Sequence, residues 1–266
     1  MIELVMMGGG KMGEALLGGL LRAGWASAEQ LAVVEKLPAR AEELTRLFPG
    51  VTVTKEPVAA PAAVLAVKPN DIPVACAALT ALGAGGPRRV LSIAAGVTLA
   101  TLEAALAPAT AVVRAMPNTP ALVGQGAAAI AAGSAAAADD LAWAESILAA
   151  VGRVVTVTEG QLDAVTGLSG SGPAYVFLVA EALVEAGVLC GLTRPVATEL
   201  AVATLLGSAT LLASGTRSAA DHRADVTSPG GTTAAGLRVL EQRAVRAAFL
   251  DAVAAATARS AELGRG

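Results

Sequence analysis

The segment Gly8-Gly9-Gly10-Lys11-Met12-Gly13 lies between an apolar run, Ile2 to Met7, and a stretch of helical periodicity that begins at Lys11. A G-x-G-x-x-G loop in that position demands a strand, a tight turn and a helix in immediate succession. Gly8 makes the turn, Gly10 admits phosphates to the backbone at the positive helix end, and Gly13 lets the helix pack close to the strand. Glu35 ends the next strand-like run, about twenty residues on, where a carboxylate accepts ribose hydroxyls. Strand, helix and acid together favour a dinucleotide site over a merely flexible turn, with Gly8, Gly10, Gly13 and Glu35 as cofactor contacts. Glu35 alone favours NADH, whereas Lys36 and Arg40 suit the 2'-phosphate of NADPH or, equally, a solvated helix face.

Short β-like runs alternate with helical stretches through the first part of the chain, the pattern of a parallel α/β sheet. Strands are expected at Ile2 to Met7, Leu31 to Glu35, Val51 to Val53, Ala63 to Val67, Arg89 to Ile93, Thr110 to Arg114, Ala127 to Ala131 and Arg153 to Val157. Helices fit Lys11 to Ala23, Ala39 to Phe48, Ile72 to Leu82, Leu99 to Leu106 and Asp140 to Val151. After about Gly160 only helical patterns remain: Leu162 to Leu168, Ala174 to Cys190, Arg194 to Ser214, Gly231 to Gln242 and Ala244 to Leu263. Two domains are therefore expected, residues 1–159 and residues 160–266. The second is apolar on more than one helix face, which points to burial against another subunit.

Aromatic residues are only 2% of the chain although 55% is hydrophobic, so the cores must be built from small aliphatic side chains and close helix contacts. A net charge of -3 with no Lys/Arg cluster offers nothing to nucleic acid or an anionic membrane surface. Ala115 to Ala138 is uncharged but broken by Pro117, Pro120 and glycines, and Tyr175 to Leu192 is interrupted by Glu181 and Glu185. Neither reads as a membrane span. The chain starts directly in a strand-like run without a basic leader, and Cys76 and Cys190 are isolated, so a cytoplasmic protein with reduced thiols is expected. His222 is the only histidine, which excludes a multi-histidine metal site.

Far downstream, Asp225-Val226-Thr227-Ser228-Pro229-Gly230-Gly231-Thr232-Thr233 reads as a second helix start, with Ser228 as N-cap and Pro229 as first helical residue. Two glycines beside a positive helix end suit a small anion such as a carboxylate. Two look-alike motifs fail. Gly10-Lys11 is followed by Met12 rather than Ser or Thr, so it is no ATPase phosphate loop. Ser169 and Ser171 lack the glycine spacing of a nucleophile elbow, which removes a serine hydrolase. Ala66-Val67-Lys68-Pro69-Asn70, Ser92-Ile93-Ala94-Ala95-Gly96-Val97 and Val113-Arg114-Ala115-Met116-Pro117-Asn118-Thr119-Pro120 each leave a strand at its C-terminal end, where ligands gather in such sheets.

Taken in order with Leu168-Ser169-Gly170-Ser171-Gly172-Pro173-Ala174-Tyr175 and Ser228 to Thr233, these segments resemble pyrroline-5-carboxylate reductase over essentially the full length. The resemblance implies an N-terminal Rossmann-type dinucleotide-binding domain and an all-α dimerisation domain, an α/β fold overall. It implies reduction of 1-pyrroline-5-carboxylate to L-proline with NADPH or NADH, in a homodimer that some members assemble into rings. It also places Gly10, Lys11 and Met12 on the pyrophosphate, and Ala66, Val67, Lys68 and Pro69, with Ala94, Ala95, Gly96 and Asn118, along the cofactor path. Ser228, Gly230, Gly231, Thr232 and Thr233 would bind substrate, with Thr233 as the catalytic hydroxyl, although a first-turn threonine also suits a local hydrogen bond. The loop departs from the family in having Gly9 where Ala is frequent, and no counterpart of a family asparagine stands near Lys55 to Pro57.

Two rivals remain. A β-hydroxyacid dehydrogenase would need a lysine on the first long helix of its second domain, and this chain has none after Lys68. A catalytically silent dinucleotide sensor would bind cofactor without oxidising it in an imine-dependent way.

Overall fold

The computed structural model describes residues 1–264. The chain forms two compact units, Met1–Ser171 together with residues 255–264, and Gly172–Ala254.

The first unit is built on one eight-stranded sheet: β1 (Leu4–Met7), β2 (Leu31–Val34), β3 (Thr52–Thr54), β4 (Ala62–Leu65), β5 (Arg89–Ser92), β6 (Ala111–Met116), β7 (Gly126–Ala132) and β8 (Gly152–Thr156). Their order across the sheet is β3-β2-β1-β4-β5-β6-β7-β8. Side-chain alternation on β1 shows how the two faces are filled. Leu4 and Met6 join Leu16, Leu17 and Leu20 of α1 (Lys11–Arg22) and Ile147 and Leu148 of α5 (Ala138–Ala149) on one face. Val5 and Met7 join Ile72, Cys76 and Leu79 of α3 (Ile72–Thr80) and Leu99 and Leu102 of α4 (Leu99–Ala105) on the other. The remaining sheet helix is α2 (Pro38–Leu47), whose Leu44 is buried in the α1 face. With both faces covered, the central strands read as continuous apolar runs, as a buried parallel sheet requires.

All eight expected strands are present, but the sheet is not wholly parallel: β6 pairs antiparallel with β7. Only a short 3-10 turn, Thr119–Val123, separates them, and a parallel crossover needs a dozen residues or more. The expected helix from Leu162 to Leu168 is also altered, being one α-turn, α6 (Leu162–Val165), continued by a π turn over Thr166–Gly170.

The first unit extends beyond residue 159, for reasons visible in its contacts. The Asn118 side-chain amide donates to the Ser169 carbonyl at 3.0 Å, and the Ser260 hydroxyl donates to Asp163 Oδ1 at 2.7 Å. Glu159 Oε1 accepts from the Leu99 backbone N–H at 2.6 Å and from the largely buried Arg114 at 2.9 Å, tying β6, the start of α4 and the entry to α6.

The second unit contains α7 (Gly172–Leu189), α8 (Arg194–Ala213), α9 (Ala219–Asp225), α10 (Thr232–Gln242) and the first part of α11 (Val245–Leu263). Helix α9 was not expected, although Ser218 and Asp221 form a reciprocal capping box that marks its start. Helices α7 and α8 pack so closely that a Cβ built on Gly187 would lie 3.0 Å from the Ala197 Cβ. Elsewhere the unit leaves its large apolar side chains uncovered, among them Phe177, Leu178, Leu189, Leu206, Leu211 and Leu250. By length and composition the helical stretches Glu159–Leu189 and Arg194–Ala213 could cross a membrane.

Candidate active site

At the head of the sheet the order reverses: β1 runs between β2 and β4, so the loops that leave these strands diverge and open a crevice. Gly8 leaves β1 with φ +108°, a conformation that L side chains rarely adopt, and a Cβ there would lie 2.7 Å from the Ala66 carbonyl oxygen. Gly13 brings α1 against the loop, since its Cβ would stand 2.3 Å from the Gly8 carbonyl oxygen. At Gly10, by contrast, the space is open: no heavy atom lies within 4 Å of a built Cβ. Gly10 is the N-cap of α1, and no side chain caps that helix. The first-turn N–H groups thus face an unobstructed opening, the feature that a dinucleotide pyrophosphate fits. Lys11 is exposed beside it, and Met12 is half-buried against the core.

Glu35, just beyond β2, is fixed in place by two backbone donors. Its Oε2 accepts from the Gly9 N–H at 3.2 Å and its Oε1 from the Leu37 N–H at 2.9 Å. Arg40 is anchored as firmly: Nε donates to the Gly9 carbonyl at 2.7 Å, one terminal nitrogen to Glu43 at 2.6 Å, and the other forms an ion pair with Glu14. Partial burial by itself would lower the Arg40 pKa, but hydrogen bonds to Glu14 and Glu43 outweigh it and hold the guanidinium charged above its ordinary value. The roles of Glu14 and Glu43 had no reading in the sequence; the i,i+3 spacing of Arg40 and Glu43 is a local signal, whereas Glu14 comes from a different helix.

The next two strands bring their exits to the same edge. Ala66 follows β4 and donates its N–H to the Met7 carbonyl at 2.8 Å; Val67 is half-buried, and Lys68 and Pro69 are exposed. Ala94, Ala95 and Gly96 follow β5, with Ala94 buried, Ala95 exposed and Gly96 at φ +75°. Because β1, β4 and β5 are neighbours, the glycine loop and these two exits line one continuous rim. Asn118, beyond β6, differs in kind: its amide donates to Ser169 and accepts from the Ala127 N–H at 2.8 Å, so both ends of the side chain brace the protein.

In the second unit, Ser228 to Thr233 corrects one expectation. Ser228 is not the N-cap and Pro229 is not the first helical residue. Pro229 and Gly230 are the central residues of a turn closed by the Gly231 N–H donating to the Ser228 carbonyl at 3.0 Å, with Gly230 at φ +70°. Proline followed by a glycine of positive φ is the type II arrangement, and the chain must complete it before helical dihedrals begin. Helix α10 starts at Thr232 with Gly231 as N-cap, and again no side chain caps it. Its first-turn N–H groups, with Thr232 exposed and Thr233 half-buried, form a second uncapped glycine helix start.

A family model described as pyrroline-5-carboxylate reductase dimerisation matches residues 159–263, and one described as NADP oxidoreductase coenzyme F420-dependent matches residues 3–96. The chain is 45% identical to the pyrroline-5-carboxylate reductase of Synechocystis sp. over 269 residues, covering 99% of each chain. Among solved structures, the pyrroline-5-carboxylate reductase of Coxiella burnetii matches with a TM-score of 0.92 at 37% identity, covering 98% of both chains. The pyrroline carboxylate reductase of Plasmodium falciparum, determined with NADP bound, matches with a TM-score of 0.83 at 28% identity over 99% of this chain and 98% of that one. With the crevice, the uncapped helix starts and this full-length identity in agreement, the chain belongs to the pyrroline-5-carboxylate reductase family.

Proposed function

We propose that this chain reduces 1-pyrroline-5-carboxylate to L-proline with NAD(P)H, the last step of proline synthesis, and does so as a homodimer in the cytoplasm. The observation that carries the reading is the pair of glycine-capped helices, α1 and α10, whose N-terminal N–H groups no side chain satisfies. One suits the pyrophosphate of a dinucleotide and the other the carboxylate of a small cyclic acid. Residues 1–159 hold the cofactor and residues 160–266 hold the substrate and the partner subunit.

When bound, the dinucleotide supplies a hydride to the imine carbon while the ring nitrogen gains a proton. The chain's part is to bind, orient and polarise, chemistry that calls for no histidine base. Gly8, Gly10, Lys11, Met12 and Gly13 hold the pyrophosphate, and Glu35 the ribose. Ala66, Val67, Lys68 and Pro69, with Ala94, Ala95 and Gly96, shape the path of the nicotinamide half. Asn118 supports that rim through its two backbone partners. Backbone N–H groups at Gly230, Thr232 and Thr233 hold the substrate carboxylate, while the Gly231 N–H closes the turn on the Ser228 carbonyl and keeps the helix start in shape. The Thr233 hydroxyl hydrogen-bonds the ring nitrogen, offsetting the electron density that collects there.

The uncovered side chains of α7 and α8 belong to the dimer. Glu181 and Glu185 interrupt α7 and Glu199 interrupts α8, charges that a lipid-spanning helix places at high cost. A second subunit covering Phe177, Leu178 and Leu206 fits both the apolar faces and the charged residues between them.

The test is oxidation of reduced nicotinamide, followed by its absorbance, with and without 1-pyrroline-5-carboxylate. Imine-dependent turnover is expected. Stoichiometric cofactor binding without it would leave the silent sensor in place. Thr233→Ala should lower kcat/KM by roughly 10- to 1,000-fold at unchanged cofactor affinity, as loss of a single transition-state donor does. Unchanged turnover would remove Thr233 from the mechanism.

A further inference from the structure

Resting on the reading above, we infer that Glu35 makes this enzyme prefer NADH to NADPH. The sequence offered two opposed signals at the end of β2, a carboxylate for ribose hydroxyls and two cations for a 2'-phosphate. The geometry decides between them, because it shows which of these groups is free to meet the adenosine ribose.

A carboxylate has about four lone-pair sites. Two of those on Glu35 are taken, by the Gly9 and Leu37 N–H groups, and the acceptors that remain number enough for a vicinal diol. The two anchors also prevent the side chain from swinging aside to admit a phosphate. Arg40 is committed elsewhere. All three of its nitrogens are engaged, with the Gly9 carbonyl, Glu43 and Glu14, and its side chain is only 18% exposed. Turning it to a 2'-phosphate would strip Glu14 and Glu43 of their cation and release the back of the glycine loop. Lys36 alone is left, an exposed side chain on a flexible stem. A 2'-phosphate, carrying a charge of about -1.5 to -2, would thus approach the Glu35 carboxylate, which has no cation of its own, with Lys36 as the one cation beside it that is free to turn. Such like-charge juxtaposition is a principal means of rejecting a ligand that otherwise fits.

The experiment is calorimetric titration of the intact protein, without imine, using NADH and NADPH in parallel, and then ADP-ribose and its 2'-phosphorylated form. These fragments isolate the adenosine half from the nicotinamide. NADH should bind at least about 10-fold more tightly than NADPH, and ADP-ribose should exceed its phosphorylated form by a similar factor. In Glu35→Ser the preference should narrow by about 10-fold or reverse. Glu35→Gln, which keeps the side-chain shape and one acceptor oxygen, should narrow it as well and covers the case in which the serine variant fails to fold. NADPH bound as tightly as NADH by the unaltered protein, or a ratio unmoved in folded variants, would overturn the inference alone. Binding of neither dinucleotide would overturn it together with the reading on which it rests.

Discussion

Replacing Gly10 by alanine separates the fold of the glycine loop from its use. Gly10 has φ -65° and ψ -176°, dihedrals any residue adopts, and its added methyl would meet no heavy atom within 4 Å. Removing glycine's freedom from the unfolded chain stabilises by about 0.4–1 kcal/mol. Losing glycine as N-cap costs about 0.5–1 kcal/mol in return, so the net change is about 1 kcal/mol or less. A melting temperature within about 4 °C of the original follows. Binding should respond differently, because the methyl would occupy the opening through which phosphate oxygens reach the first-turn N–H groups of α1. Two hydrogen bonds to a charged acceptor, at about 1.5 kcal/mol each, amount to about 3 kcal/mol, or about a 100-fold loss of affinity. Gly13→Ala is the control in the opposite sense. Its methyl would stand 2.3 Å from the Gly8 carbonyl oxygen, a backbone atom that can move only with the loop. Destabilisation of about 1–3 kcal/mol is expected, with a fall in melting temperature of about 3–10 °C. Thermal unfolding without nucleotide, followed by calorimetric titration with NADH, reads both effects. A folded Gly10→Ala protein that binds NADH with the original affinity would refute the assignment of this helix start to the pyrophosphate.

Three further outcomes are expected. Burial pushes the Cys76 thiol up to about 11, so its thiolate fraction at mildly alkaline pH is about 100-fold below that of an ordinary thiol; alkylation mapped by mass spectrometry should spare Cys76 until the protein is denatured. Since the folded form holds that proton more tightly than the unfolded one, the contribution is present below pH about 9 and is lost as pH rises toward about 11, a trend that Cys76→Ala should remove from the alkaline limb of a stability profile. Glu159→Ala leaves Arg114 largely buried without its carboxylate and the Leu99 N–H without its acceptor, and should lower stability by about 1–3 kcal/mol in denaturant titration; Arg114→Leu, which removes the charge itself, should cost less. Leu206→Glu should convert the dimer to monomers in sedimentation experiments, whereas an unchanged mass would place the interface elsewhere.

What the chain's local order determined is considerable. Each of the eight strands is legible as a short apolar run, and the loop from Gly8 to Gly13 with Glu35 is legible as a nucleotide motif, since strand period, glycine spacing and turn chemistry act over a few residues at a time. The helices of the second unit could be read from the same periodicity, apart from α9, whose seven residues are too few to show a stripe. The resemblance carried the activity, which no spacing by itself contains. Tertiary structure alone decided three things. It reversed β7, because the turn after Asn118 is too short to cross over the sheet. It assigned the last part of α11 to the first unit, where Ser260 meets Asp163 across ninety-seven positions of chain. Finally, it chose partners for Arg40, a residue whose sequence context suits phosphate as well as solvent. Glu43 lies one turn along the same helix, but Glu14 and the Gly9 carbonyl reach that guanidinium from other elements, and a charge far along the chain leaves no periodic trace to read.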